Sequence, residues 1–276
     1  MNPLYEIDSD FTHPKFDMYR AEELFRGEDL ELSSSSSPRG MVMYERFRDE
    51  YALRQGASVA CDAFVFGFGN PPRPDISKVG GQPFWPKNRR WPHDQNGNPL
   101  YFLAQINFSD SSDLVRTPKP LLLILSDSNK DDEWYCINPE HLSFVWCDTD
   151  VERDEQISVA TVSLHEYYAT IYRTADYPDL FDAKSDSLSN DEWESLVLDG
   201  PKIGGSPKLV YDIPPGKKGF LFQLGPIWPF WQKANAWVNS DEAFDDYRKG
   251  FHVVDLGVFA FFLNEDGSVT WHFESS

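Results

Sequence analysis

Ser77-Lys78-Val79-Gly80-Gly81-Gln82-Pro83-Phe84-Trp85-Pro86 returns further along the chain as Pro201-Lys202-Ile203-Gly204-Gly205-Ser206-Pro207. Each copy is followed by an apolar run with one amide inside it. The first run is Phe102-Leu103-Ala104-Gln105-Ile106 and the second is Phe220-Leu221-Phe222-Gln223-Leu224. Lysine and glutamine are 27 residues apart in the first copy and 21 in the second. Two matched pieces in the same order predict a duplicated unit. Adjacent glycines admit positive φ and a sharp reversal of the chain. A glutamine inside an apolar strand needs a hydrogen-bond partner once buried. Gln105 and Gln223 therefore read first as locks between loop and strand, because an unsatisfied buried amide costs about 1–3 kcal/mol. A second role stays open. The two copies can face each other across a shared cleft, with Lys78 and Lys202 holding an anionic ligand and Trp85, Trp91 and Asp255 as further candidates.

Outward from these motifs the chain is punctuated by turns. Val59 opens a Val- and Phe-rich run of strand length that stops at Gly69-Asn70-Pro71-Pro72. Pro83, Pro86, Pro92 and Pro99 forbid regular helix between the first motif and its strand, which leaves a loop carrying Trp85 and Trp91. Strands are predicted at 100–107, 121–126, 133–137, 142–147, 157–164 and 220–224. The pairs at 133–137 and 142–147 are expected across a sheet from the first unit. Asn264-Glu265-Asp266-Gly267 is a hairpin turn leading to a returning strand at 268–273. Helical signals fall at 18–26, 41–54, 190–198 and 241–248, and residues 165–174 read either as a continuation of the strand at 157–164 or as a helix. Five consecutive serines at 33–37 mark a flexible connection or loop tip.

The 276 residues carry 45 acidic and 25 basic side chains, a formal charge of −20. Such a field opposes nonspecific binding to nucleic acid or to anionic membrane, and it favours a basic protein partner. The charge is uneven, since residues 148–200 hold 14 acidic groups against three basic ones. Cys61, Cys136 and Cys147 form no disulfide framework and suit a reducing compartment. The start of the chain lacks a signal-peptide pattern, and no apolar run approaches the roughly 20 residues of a membrane span. The expected location is the cytoplasm.

No familiar catalytic constellation is legible. The histidines and cysteines lack metal-ligand spacing, so no metal or cofactor is expected. There is no nucleophile elbow of the Gly-x-Ser-x-Gly type, and Pro207 follows Gly204-Gly205-Ser206 directly. Lys78 precedes its glycines, the reverse of a phosphate-binding loop. Lys87, Arg89 and Arg90 lie between Trp85 and Trp91, a mixture that can bind single-stranded nucleic acid. In so acidic a protein, cation–π packing of a solvated loop is the better reading.

With these motifs the sequence resembles the YwqG-like family of bacterial proteins, a family of largely unknown function. The resemblance rests on residues 77–86, 100–107, 202–223 and 257–263 and spans roughly 58–276. The second copy lacks the Trp-Pro of the first. The resemblance implies an α+β fold of two related β-rich halves, mostly antiparallel, with a few short helices. The expected organisation is a helical or flexible appendage at 1–57 and a domain at 58–276. That domain comprises halves at 58–147 and 200–276 joined by an acidic segment at 148–199. The expected function is non-enzymatic binding, in its sharper form an immunity protein that neutralises a cognate toxin by direct contact. Candidate contacts are Asp182, Asp186, Asp191, Glu192, Glu194, Asp241, Glu242, Asp245 and Asp246. The alternative is an enzyme or small-molecule binder using the cleft between the halves.

Overall fold

A computed structural model describes residues 5–6, 15–16, 58–67, 73–127, 142–159, 166–176, 200–207, 219–225 and 258–274. The strands among these residues form two antiparallel sheets, and the only helical element among the described residues is the single 3₁₀ turn Ser109–Ser111. The expected α+β class is thus corrected to β. Within the expected N-terminal helical appendage, the described residues form an antiparallel pair, β1 (Tyr5–Glu6) and β2 (Lys15–Phe16). The physical reason lies in the punctuation. Gly, Pro, Asn and Asp recur too often among the described segments for helical periodicity to run its length, whereas runs of five to ten residues between turns suit strands. The four predicted helices, the strand at 133–137 and most of that at 157–164 lie outside the described residues.

The larger sheet has ten strands. They are β3 (Val59–Gly67), β4 (Lys78–Val79), β5 (Tyr101–Asn107), β6 (Leu121–Ser126), β7 (Leu142–Cys147), β8 (Tyr167–Asp176), β9 (Lys202–Gly204), β10 (Phe220–Leu224), β11 (Val258–Leu263) and β12 (Val269–Glu274). Their order across the sheet is β12-β11-β10-β9-β3-β8-β4-β5-β6-β7. A central pair, β3 and β8, is flanked on each side by a four-stranded meander that begins with one copy of the Lys-x-Gly-Gly motif. Strand β7 is the neighbour of β6 in this one sheet, so residues 142–147 do not lie across from the first unit as expected.

One face of the sheet is the core. Phe64, Val79, Ala104, Ala169, Ile203 and Phe222 point to it and are buried. The sheet curls so that the two meanders meet over this face. Phe108 of the first half meets Phe222 of the second at 5.8 Å between ring centroids, and Phe144 meets Phe261 at 5.9 Å. Trp146 Nε1 donates to the Gly267 carbonyl at 3.0 Å, tying β7 to the hairpin between β11 and β12. Arg173 of β8 closes one end. It donates through Nε to the fully buried Asp62 carboxylate at 2.5 Å and through Nη1 to Asp113 at 2.7 Å. These contacts with Asp113 and Asp62 push the guanidinium pKa up, so the charge is permanent.

The opposite face of β5 to β7 is covered by the proline-rich loop after the first motif. Phe84, Trp85 and Leu100 pack there on Phe102, Leu121, Leu123, Leu125 and Cys147. The loop is pinned to the segment after β7. Asp154 N donates to the Trp85 carbonyl at 2.8 Å, Lys87 N donates to the Glu152 carbonyl at 2.9 Å, and Pro86 and Arg153 form a bridge. This arrangement places Arg153 next to the first motif.

Candidate functional site

The repeated residues occupy repeated places. Lys78 pairs with Gln105 across β4 and β5, and Lys202 pairs with Gln223 across β9 and β10. Both glycines of each copy have positive φ, 68° and 66° for Gly80 and Gly81, 68° and 74° for Gly204 and Gly205. Side chains rarely adopt this conformation, so glycine is what allows the reversal. Gln105 is fully buried and uses its whole amide. Oε1 accepts from Phe84 N at 2.7 Å, and Nε2 donates to the carbonyls of Pro74 at 3.0 Å and Ile76 at 2.7 Å. Gln223, equally buried, donates to the Gly200 carbonyl at 2.9 Å. Each glutamine fastens the chain before its motif to the strand after it.

Both lysines are buried, and each is met by a carboxylate from outside the repeat. Lys78 Nζ lies 2.5 Å from Glu166 Oε1 and also donates to the Gln82 carbonyl. Lys202 Nζ lies 2.7 Å from Asp176 Oδ2, which also accepts Ser206 N at 2.8 Å. The carboxylates fill equivalent positions over the second glycine. A Cβ on Gly81 would fall 2.2 Å from Glu166 Cδ, and one on Gly205 would fall 2.7 Å from Asp176 Oδ2. The routes differ. Glu166 immediately precedes the part of β8 that pairs with β4, whereas Asp176 reaches across β3 from the far end of β8. Cys61 lies between them in register with Gly204, and its small side chain leaves the path open. Burial, then the Asp176 charge, pushes the Cys61 thiol pKa far up, so this cysteine is an inert neighbour.

The electrostatics of the two copies are unequal. The Lys202 and Asp176 side chains are 2% and 6% exposed, while Glu166 is 32% exposed beside a Lys78 at 5%. Burial lowers the Lys78 pKa from its ordinary value, Glu166 opposes that shift, and the nearby charge of Arg153 adds to it. Tyr168, in register with Lys78 and with its ring 5.6 Å from Nζ, has its pKa raised by burial and then by a hydrogen bond to Glu166. The Arg153 Nε is enclosed and has no hydrogen-bond partner.

The structure does not bring Lys78 and Lys202 together. Strands β3 and β8 separate their strands. Glu166 and Asp176 stand ten residues apart, about 30 Å at the rise of a strand. Trp85 is buried in the apolar cluster under its loop, with Trp91 edge-on at 4.8 Å. Arg89 stacks over Trp85 at 4.9 Å, the cation–π packing expected of the basic loop, and Lys87 pairs with Glu152. Asp255 and the nine acidic contact candidates, Asp182, Asp186, Asp191, Glu192, Glu194, Asp241, Glu242, Asp245 and Asp246, lie outside the described residues. Glu166, Asp176, Tyr168 and Arg153 are residues that sequence reasoning missed. All four lie in the acidic segment between the copies, where repetition gives no guide. Among the described residues no cluster of metal-ligating side chains occurs, and no helix is long and apolar enough to cross a membrane.

A search of curated proteins finds no match. The family model described as "Domain of unknown function (DUF1963)" matches residues 77–276, from the serine before the first lysine through both motifs to the last strand. The chain therefore belongs to the DUF1963 family.

Proposed function

We propose that this chain is a non-enzymatic binding protein whose acidic surface captures a basic protein partner. Its narrower form is a cytoplasmic immunity protein of YwqG-like type that neutralises a toxin by contact. The observation that carries this reading is the disposition of charge. The motif lysines, the residues best placed to attract an anionic substrate, are turned inward onto Glu166 and Asp176. A net charge of −20 is left to dominate the surface. Asp150, Glu152 and Glu155 stand exposed on the loop after β7, at the start of the most acidic part of the chain. A field of this sign accelerates encounter with a basic protein and repels nucleic acid.

The test is co-expression with the product of the adjacent gene, followed by purification at low and high salt. The reading expects a stable complex whose association rate falls steeply as salt is raised. It also expects the complex to weaken at least tenfold when Asp182, Asp186 and Asp191 are changed together to lysine. A complex indifferent both to salt and to these changes would refute the acidic-surface mechanism. The narrower form fails if the neighbouring product does not harm cells that lack this protein.

A further inference from the structure

We infer that Arg153 is the receptor for a small oxyanion, a carboxylate or a phosphate, at the edge of the first motif. Arg153 is rooted firmly. Its neighbours Glu152 and Asp154 are hydrogen-bonded through their backbones to Lys87 and Trp85, and Arg153 itself bridges Pro86. The side chain is therefore presented from a fixed backbone, and the residue as a whole is only partly buried, so part of it is open to solvent although Nε itself is enclosed.

What it presents is unspent. A guanidinium has five N–H donors in a planar fork suited to two oxygens of one anion. Here Nε is enclosed without a partner. Among the described residues no carboxylate forms an ion pair with Arg153, although the chain carries 45 acidic side chains. Glu166, the acid of this corner, already accepts from Lys78 and from Tyr168. The Arg153 charge acts unfavourably on Lys78, adding to the burial that already disfavours the ammonium. A buried donor left unmade is rare in folded proteins and points to a missing partner. The second copy of the motif has a different arrangement, since Asp176 accepts from both Lys202 and Ser206.

This inference is independent of the protein-partner reading, and either can fail alone. The experiment is thermal unfolding of the full chain in sodium phosphate, sodium acetate and sodium chloride at matched ionic strength and pH. Wild type, Arg153→Met and Arg153→Lys are compared. The expected result is a saturable rise of about 5 °C for wild type in phosphate or in acetate over chloride. Which salt acts distinguishes phosphate from carboxylate recognition. Arg153→Met abolishes the rise. Arg153→Lys keeps the charge but loses the fork, and it shifts half-saturation at least tenfold upward. Equal melting temperatures in all three salts overturn the inference, as does an oxyanion effect that survives in Arg153→Met. If Arg153→Met does not fold, an unchanged half-saturation in Arg153→Lys overturns it equally.

Discussion

At the level of single residues, the second glycine of each motif is where conformation and charge meet. Gly81 and Gly205 have positive φ, and the space above each holds a carboxylate. Alanine at either position combines backbone strain of about 1–2 kcal/mol with a clash. The two costs differ because Glu166 is a longer, partly exposed side chain that can swing away, while Asp176 is short and buried. Gly205→Ala is expected to lose about 3 kcal/mol or more in urea denaturation, and Gly81→Ala about 2 kcal/mol. Gly97→Ala is the control, since it shares the positive φ of 84° but has open space where the Cβ would go. It should lose about 1 kcal/mol. Equal losses at all three sites would show that strain alone matters and that the carboxylates are not confined.

At the level of elements, β8 is the strap that serves both copies, and it is the part of the design least legible in the sequence. Lys78, Gln105, Lys202 and Gln223 could be singled out because repetition marked them, and their cross-strand pairings are equivalent. Glu166 and Asp176 could not, because they belong to a segment present once, whose many acids read as solvated surface. The same masking hid Arg153. Strands bounded by clear turn chemistry, such as Leu121–Ser126 and Phe220–Leu224, were readable to the residue. The curl that brings the meanders together was not, since it depends on contacts between Phe108, Phe144, Phe222 and Phe261, far apart in the chain.

The strap also gives a pH-dependent prediction. Burial holds the Lys78 pKa below its ordinary 10.5, so between the folded value and 10.5 the unfolded chain binds more protons. Stability contributed at this site therefore rises with pH across that window. Glu166→Gln removes the group that favours the ammonium. It should cost about 2 kcal/mol at pH 7, a figure discounted for the exposure of Glu166, and the deficit should shrink toward pH 10. A deficit of the same size at both pH values would contradict this account. Asp176→Asn removes the carboxylate paired with Lys202 in a fully enclosed setting, so it should cost more, about 3–5 kcal/mol at pH 7.

At the level of the molecule, the two meanders share the core on one face of the sheet. Phe222 illustrates this. It stacks on Phe261 at 4.2 Å within its own half and meets Phe108 of the other. Phe222→Ala should cost about 3–5 kcal/mol by leaving a cavity at the junction. The variant should still unfold in one transition, with far-ultraviolet and tryptophan signals coincident. Two separated transitions would mean that the halves are independent units.

The separation of each lysine from its acid along the chain has a consequence for synthesis. Lys202 leaves the ribosome 26 residues after Asp176, so its counter-ion is already made. Lys78 must wait 88 residues for Glu166, on the order of ten seconds at ordinary translation rates. During that delay the amino-terminal meander has its ammonium but not the acid that neutralises it, and β4 lacks its neighbour β8. Until residues 166–176 emerge, the nascent first half therefore keeps one edge of β4 unpaired.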